Sequence, residues 1–385
     1  MIDLNVSSCS DDVELILIEA PLLGPDLETA LLALGAKVRI RAASEIGLES
    51  LRDARQAGVD AVVTINHSPE LALLCSLAQL RYVSWTIDPV GHRRWAILGG
   101  TQPRSCHLLV HRKALVEPLL AMGYTNVRWL PLACTRRRFC TGDETGPRRG
   151  PIPLFVGSSL QDERRILTDA CSRWGIAEAL DAVDAMLGEL AKACLWDRSF
   201  HGFARVPEAV PPSLKKILPK VEVPDLAEVL DAGLAWHFRR ALVGIMARCG
   251  TEIKGDSGWQ DLAGERWTGP LRNGQEMTER YASAAVNLDA PRLHQREIAT
   301  LRAFDAMGSG GLFACETGTE LDGLFRAGQQ FLTWSDQQGL EELLDAAKHR
   351  DPQLDAIAHA GCEAVRRHHS LDDRARQILT CVRDV

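Results

Sequence analysis

Short apolar runs and amphipathic stretches alternate along the first half of the chain, and this pattern predicts strands and helices in turn. The apolar runs predict strands at 13–18, 37–40, 60–65, 81–87, 107–110 and 126–130. The stretches between them predict helices at 26–34, 48–57, 69–77 and 113–122. Strands alternating with helices of this length indicate a parallel sheet with helices on both faces. The first half is therefore predicted to form a Rossmann-like domain.

The second half begins with a segment rich in Gly, Pro and charge at 141–153, which predicts a linker. A strand at 154–156 is followed by a mostly helical block at about 162–247, too long for a single crossover and therefore predicted to be a helical insertion. The alternation then returns. Predicted strands lie at 251–254, around Trp267, and at 285–288, 312–315 and 330–334. Predicted helices lie at 275–284, 339–349, 352–368 and 371–382.

The predicted fold class is α/β, with two Rossmann-like domains facing a cleft. The first domain is expected at 1–145 and the second, with its helical insertion, at 151–368. The last segment, 369–385, is expected to be a helix that packs back on the first domain. Fold alone does not choose a function, since several classes of protein share this architecture.

Composition narrows the class of protein. The chain has 385 residues and a net charge of -7, which argues against nucleic acid as a partner because phosphate binding needs a basic face. The first residues have no signal-peptide pattern, and no apolar run has the length needed to span a bilayer. The eleven cysteines are scattered and lack the spacing of a zinc site. These observations predict a cytoplasmic protein with no metal site and no transmembrane segment.

The segment from Glu297 to Glu316 concentrates candidate chemistry. A helix-forming run carries Arg302 and Asp305 and stops at the glycine-rich turn Gly308–Gly311. An apolar strand follows and ends on Glu316. Ligands of open α/β sheets bind at the carboxyl ends of the strands, so this layout suggests a nucleotide-sugar site.

Several motifs in order resemble the glycosyltransferases related to the spore maturation protein CgeB. The run LRAFDAMGSGGLF at 301–313 resembles their R-x-F-E signature and glycine turn, and ELDGLFRAG at 320–328 resembles the segment that follows it. In the first half, WTIDP at 85–89 and GYTNVRWLPLA at 123–133 resemble the corresponding loop and strand. FVGS at 155–158 resembles the start of their second domain. The resemblance covers roughly 60–160 and 265–380, and the helical block between them matches no motif of the family.

The resemblance implies the GT-B architecture and a metal-independent glycosyltransferase that needs no cofactor. The second domain would hold a nucleotide-diphosphate sugar, with a UDP-sugar favoured, and the acceptor would be a protein, a glycan or a small molecule. Two other functions stay open. One is a nucleotide-sugar epimerase or hydrolase of the same fold, and the other is a non-catalytic module that binds a nucleotide sugar or a protein.

The resemblance also assigns candidate donor-binding residues. They are Gly157, Ser158, Lys254, Trp259, Glu297, Arg302, Asp305 and Gly310. Arg302 and the amides after the 154–156 strand are candidates for the diphosphate, because cations and helix N-termini stabilise phosphate charge. Many retaining GT-B enzymes have two Glu residues with seven residues between them, and Glu297 and Asp305 have this arrangement with Asp as the second acid. An Asp can still accept two ribose hydroxyl hydrogen bonds.

Asp88 and His92 are the candidate catalytic residues. Asp88 follows an apolar strand and precedes Pro89, which predicts a place at the carboxyl edge of the first sheet. It is the candidate general base if the enzyme inverts, and it positions a sugar if the enzyme retains. Structural alternatives are an Asx-Pro turn for Asp88, a surface ion pair for Arg302 with Asp305, and a helix C-cap for the glycine turn.

Overall fold

The computed structural model describes residues 13–88, 103–139, 149–199, 212, 215, 223–349 and 351–383. Residues 141–148 of the predicted linker, residues 200–211 of the predicted insertion and the candidate His92 lie outside these ranges. The chain divides into two compact units. Unit 1 comprises Met1–Arg136 and Arg367–Val385, and unit 2 comprises Arg137–Arg366.

Unit 1 contains a sheet of six parallel strands in the order β2-β1-β3-β4-β5-β6. The strands are β1 (Glu14–Ile18), β2 (Lys37–Arg41), β3 (Ala61–Ile65), β4 (Arg81–Thr86), β5 (Cys106–Val110) and β6 (Asn126–Trp129). The central strands read as near-continuous apolar runs because helices cover both faces of such a sheet. Val63 of β3, for example, is fully buried between Leu17 of β1 and Val83 of β4.

Among the described residues, four helices connect these strands: α1 (Gly24–Ala33), α2 (Leu48–Gln56), α3 (Pro69–Leu77) and α4 (Val116–Ala121). The start of α3 follows from its sequence. The Ser68 side chain accepts a hydrogen bond from the Leu71 amide, and Pro69 occupies a first-turn position that needs no amide donor. Gly35, with φ of 85°, adopts the left-handed conformation that lets the chain turn from α1 into β2.

Unit 2 contains a second parallel sheet of five strands in the order β11-β10-β9-β7-β8. The strands are β7 (Leu154–Val156), β8 (Glu252–Lys254), β9 (Asn287–Leu288), β10 (Phe313–Glu316) and β11 (Leu332–Trp334). The predicted strand around Trp267 is reduced to an isolated bridge with Ile253. Because all five strands are parallel, the residues that follow them meet at one edge of the sheet.

A block of long helices forms the connection from β7 to β8. It contains α5 (Gln161–Arg173), α6 (Leu180–Ala193) and α7 (Val223–Arg248). Leu167, Leu187 and Leu230 from the three helices are buried in one core. Gly233 makes this close packing feasible, since a Cβ there would lie 2.8 Å from side-chain carbons of both Leu167 and Leu187. The crossover is therefore a packed helical layer of unit 2.

The remaining helices follow β8 in the chain: α8 (Gln260–Ala263), α9 (Gln275–Ser283), α10 (Leu301–Gly308), α11 (Gln337–Lys348), α12 (Pro352–His368) and α13 (Leu371–Arg383). The last of them belongs to unit 1. There the buried Arg374 donates to the carbonyl oxygens of Pro131 at 2.7 Å and Leu132 at 3.0 Å, which fixes α13 beside the end of β6. Within the described residues, no helix has both the length and the apolar character required of a membrane span.

Candidate functional site

The carboxyl ends of β7 and β8 are joined by close backbone contacts. The Gly157 amide donates to the Lys254 carbonyl oxygen at 3.0 Å, and the indole Nε1 of Trp259 donates to the Gly157 carbonyl oxygen at 2.8 Å. Gly255 has no room for a side chain, because a Cβ would lie 2.1 Å from that same Gly157 oxygen. The Gly157 turn is therefore held in place from β8.

Asp256 fixes the next part of the same edge. Its carboxylate accepts hydrogen bonds from the Ser159 amide at 2.8 Å, the Ser159 hydroxyl at 2.5 Å and the Gly258 amide at 2.9 Å. Burial acts to raise the pKa of Asp256, but these hydrogen bonds outweigh burial and lower it. An ionised Asp256 thus orders the segment that leads into α5.

Arg302 connects the ends of β7 and β9. Its Nε donates to the Val156 carbonyl oxygen at 2.6 Å, and its guanidinium group forms an ion pair with Asp289, which follows β9. The second oxygen of Asp289 accepts a hydrogen bond from the Thr300 hydroxyl at 2.8 Å. The guanidinium also lies over the Phe155 ring, 5.1 Å from its centroid. Arg302 is therefore a positioned cation at the carboxyl edge of the sheet.

Two further arginines lie near this edge. Arg239 of α7 is buried and donates to the Ser158 carbonyl oxygen at 3.2 Å. Arg292 pairs with Glu163 of α5 at 2.5 Å. Burial first, and then repulsion from Arg302 and Arg292, lowers the pKa of Arg239 to about 9. The edge thus concentrates positive charge.

Asp305 lies within α10 and is buried. Its Oδ2 is 3.5 Å from the Nε of Arg138, which also donates to the Gly274 carbonyl oxygen at 2.8 Å. Asp305 and Arg302 are three residues apart on α10, as their spacing predicts, but their ion-pair partners are different residues, Arg138 and Asp289. The alternative of a surface ion pair between Arg302 and Asp305 is therefore not seen among the described ion pairs of unit 2.

Glu297 and Glu316 have different environments. Glu297 is half-buried, and its carbonyl oxygen accepts a hydrogen bond from the Glu320 amide at 2.6 Å. Glu316, the last residue of β10, is buried and forms a two-pronged ion pair with Arg296. A second arginine, Arg198, also lies 3.2 Å from a Glu316 carboxylate oxygen. Arg296 and Arg198 together therefore neutralise Glu316, and the role of Arg296 here is structural.

Two predicted donor contacts need correction. Trp259 is fully buried, with its ring packed edge-on against Phe155, so it presents no open face for stacking on a base or sugar. It supports the Gly157 turn instead. Gly310, with φ of 84°, follows the end of α10, where its amide donates to the Met307 carbonyl oxygen. That turn leads to the amino end of β10, the edge opposite the other candidates, so Gly310 acts as a helix C-cap.

Lys254 lies at the end of β8 with its ammonium group already engaged. The Nζ donates to the Thr268 carbonyl oxygen at 3.1 Å and lies 3.5 Å from a carboxylate oxygen of Glu252. Gly157 and Ser158 are at the carboxyl end of β7, as predicted. The donor roles of these three residues stay predictions.

Asp88 lies in unit 1, just beyond β4, and its side chain is exposed. Its carboxylate accepts a hydrogen bond from the Asn66 side-chain amide at 2.7 Å, while the Asn66 side-chain oxygen accepts from the Asp88 amide at 3.1 Å. Asn66 itself adopts φ of 67° after β3. This reciprocal contact joins the carboxyl ends of two neighbouring strands and holds the Asp88 carboxylate at the sheet edge.

The sequence analysis missed three residues of this part of unit 2, namely Asp289, Arg239 and Arg138. Asp289 carried a usable signal, because an acid directly after a buried strand lies at the carboxyl edge of the sheet. Arg239 carried a weaker one, since its helix neighbours Ala235, Leu242 and Val243 are all apolar and place it on a buried face.

Comparison with known proteins agrees with this architecture. Residues 235–380 match the family described as glycosyl transferase-like. No curated protein sequence matches the chain.

Solved structures with the same fold include three that match nearly the whole chain. Sucrose-phosphate synthase from Thermosynechococcus elongatus has a TM-score of 0.56 at 13% identity, covering 96% of this chain and 98% of that one. A glycosyltransferase from Rickettsia africae has a TM-score of 0.52 at 10% identity, covering 97% and 98%. HepE from Anabaena, in complex with UDP and glucose, has a TM-score of 0.51 at 10% identity, covering 97% and 100%.

These likenesses confirm the predicted fold, two parallel sheets with surrounding helices as in GT-B glycosyltransferases. The family match adds that residues 235–380 resemble a glycosyl transferase-like segment. These residues include the second half of α7, β8 to β11 and most of α13. The prediction of a glycosyltransferase is confirmed at this level.

Proposed function

We propose that this protein is a GT-B glycosyltransferase that transfers a sugar from a nucleotide-diphosphate sugar, most favourably a UDP-sugar, to an acceptor hydroxyl or amine. The observation that carries the proposal is Arg302, held by Val156 and Asp289 at the carboxyl edge of the unit 2 sheet. A cation fixed at that edge suits the negative charge that develops on a departing diphosphate. HepE, whose fold is similar, has been crystallised with UDP-glucose, which favours the same donor class here.

Individual roles follow from chemistry and place. Arg302 and the Ser158 amide would bind the diphosphate, because α5 begins just after Ser158 and its N-terminus attracts anions. Gly157, whose own amide donates to the Lys254 carbonyl oxygen, would let the backbone approach the donor closely. Asp305 would accept hydrogen bonds from the ribose hydroxyls. Glu297, which precedes α10, would contact the donor sugar.

The proposed reaction needs neither a metal nor a cofactor, since arginine side chains and helix N-termini can stabilise the leaving group. Within the described residues, no group of three or more His, Cys, Asp or Glu side chains has the placement of a metal site. A direct test is transfer activity with and without EDTA. Loss of activity on chelation and its recovery with Mg²⁺ or Mn²⁺ would overturn this part of the proposal.

Asp88 is proposed to act on the acceptor. If the sugar is transferred with inversion, Asp88 removes the acceptor proton, and if configuration is retained, it positions the acceptor or the sugar. Asp88→Asn should then abolish transfer while leaving nucleotide affinity unchanged. His92 is proposed to assist at the same site, and His92→Gln tests it with the same two readouts.

The finer classification is also a proposal. We place the protein in the CgeB-like group on its ordered motifs. We place it in the cytoplasm because nucleotide sugars are made there and because the nine described cysteines are all free thiols, as reducing compartments favour. The acceptor is a protein, a glycan precursor or a small molecule, and a screen of these three classes with the preferred donor would decide among them.

The function is tested by measuring thermal stability with UDP-, GDP-, CDP- and dTDP-sugars. A UDP-sugar is expected to raise the unfolding temperature most, and Arg302→Gln should remove the rise. Arg326→Gln, at an exposed position of the same unit, is the matched control and should keep it. If no sugar nucleotide stabilises the wild-type protein, the proposed function is wrong. Binding without hydrolysis or transfer to any acceptor would favour the non-catalytic alternative.

A further inference from the structure

Arg239 is a buried cation whose surroundings do not neutralise it. It lies on α7 with 6% of its surface exposed, and its Nε has no hydrogen-bond partner among the described residues. Its Nη1 reaches only Ser158, 3.2 Å from the carbonyl oxygen and 3.5 Å from the hydroxyl. A buried charge without an opposite charge is costly, so this arrangement requires an explanation.

The nearby carboxylates do not supply the missing charge. Asp289 pairs with Arg302, and Glu163 pairs with Arg292. No carboxylate of the described residues lies within ion-pair distance of the Arg239 guanidinium. Three arginines and two acids leave one positive charge in excess at this place. A bound anion would supply the balance.

The position of the excess charge identifies the anion. Ser158, the contact of Arg239, follows β7 at the carboxyl edge of the sheet and precedes α5, whose first turn presents free amides and the positive end of the helix dipole. Arg302 contacts the carbonyl oxygen of Val156, two residues before Ser158. Two arginines therefore approach the β7 turn, one from α10 and one from α7. Such a pair around a helix N-terminus suits a diphosphate with its several oxygens.

We propose that Arg239, supplied by the helical crossover, is a second cationic ligand of the donor diphosphate and acts with Arg302 and the Ser158 turn. The inference rests on the proposed function, because it concerns the same donor site. It gives the crossover helices a direct part in the site. The β7 turn itself has serines at 158 and 159 and no basic residue, so α7 provides the charge that the turn lacks.

The test is calorimetric titration of UDP, UMP, uridine and inorganic pyrophosphate into wild-type protein, Arg239→Gln and Arg239→Met. In both variants we expect the affinity for UDP and for pyrophosphate to fall at least about tenfold. The affinity for UMP should fall less, and the affinity for uridine should not change. Arg248→Gln, on the same helix but at its far end, is the matched control and should bind all four as wild type does.

Thermal unfolding without ligand separates a binding role from a structural one. Removing an unneutralised buried charge should leave the unfolding temperature of Arg239→Met equal to or above that of the wild type. A large drop in that temperature, or undiminished UDP affinity in both variants, would overturn the inference and leave the proposed function standing. If wild-type protein binds pyrophosphate through Arg239 but binds no UDP or UDP-sugar, the anion site stands and the proposed donor fails.

Discussion

Arg138 and Asp305 form a buried ion pair, with the Arg138 Nε 3.5 Å from the Asp305 Oδ2. Arg138 is itself anchored, since it donates to the Gly274 carbonyl oxygen at the start of α9. The Asp305 carboxylate is therefore oriented by the protein before a ligand binds. Such pre-organisation lowers the cost of accepting two ribose hydrogen bonds.

The pair gives a first prediction about donor affinity. Asp305→Asn should weaken UDP binding about tenfold, because a hydrogen bond to a charged acceptor contributes about 1.5–3 kcal/mol. Binding of pyrophosphate, which has no ribose, should be unaffected. Titration calorimetry with both ligands measures the difference. If UDP affinity is unchanged and only stability falls, Asp305 is a structural partner of Arg138, and the ribose assignment fails.

The element order of both units could be predicted because it depends on local pattern. Mostly apolar runs such as those of β1 and β3 are typical of strands buried on both faces, and glycines such as Gly35 mark the ends of helices. Strand order follows less directly from local pattern. Trp267 stands among polar residues (Glu265, Arg266 and Thr268) rather than in such a run, and it makes only an isolated bridge with Ile253.

The site could be predicted only in part, for a physical reason. Arg302 and Asp305 lie in a motif that can be read from the sequence, but their ion-pair partners lie outside that motif. Asp289 is 13 residues before Arg302, and Arg138 is far upstream of Asp305. The contact of Arg239 with Ser158 spans 81 residues. Such contacts depend on how the crossover helices pack, which local pattern does not encode.

A second prediction concerns Gly255. Replacing it with Ala would place a Cβ 2.1 Å from the Gly157 carbonyl oxygen, a backbone atom that cannot move aside without shifting β7 from β8. We expect the free energy of unfolding to fall by about 2 kcal/mol or more, with loss of UDP affinity because the Ser158 turn moves. Urea denaturation and calorimetry measure the two effects.

Gly323→Ala is the control for that change, since nothing lies within 4 Å of a Cβ at this position of the same unit. It should leave both stability and UDP affinity near their wild-type values. Wild-type stability in Gly255→Ala would mean that the turn is not held by the close approach of the two strands.

A third prediction concerns the ion pair of Glu316 with Arg296. Arg296 is almost fully buried and donates to the carbonyl oxygens of Cys194 at 3.1 Å and Asp197 at 2.9 Å, so it ties the segment after α6 to the end of β10. Glu316→Gln leaves this cation without its carboxylate and should cost about 3–5 kcal/mol of unfolding free energy. Urea denaturation measures the loss.

Glu342→Gln, at an exposed position of α11, serves as the control and should change the unfolding free energy by less than about 0.5 kcal/mol. The double variant Glu316→Gln with Arg296→Met should recover part of the loss, because both charges are then absent. A single variant as stable as wild type would show that the pair does not hold the crossover to the sheet.

The last prediction is a pH dependence of stability that arises from His67. This imidazole lies against the rings of Tyr82 and Tyr124, and burial lowers its pKa from 6.5 to about 4, with partial compensation from Glu70. The unfolded chain therefore binds a proton between these two pH values that the folded chain does not, so stability falls as pH drops from about 6.5 to 4. The loss should approach about 3 kcal/mol. Urea denaturation at several pH values between 7.5 and 4.5 gives the unfolding free energy as a function of pH. This free energy should fall less steeply with decreasing pH in His67→Gln than in wild type. The control His349→Gln, at an exposed position, should show the wild-type pH dependence. Equal slopes in all three proteins would mean that His67 is not held neutral by burial.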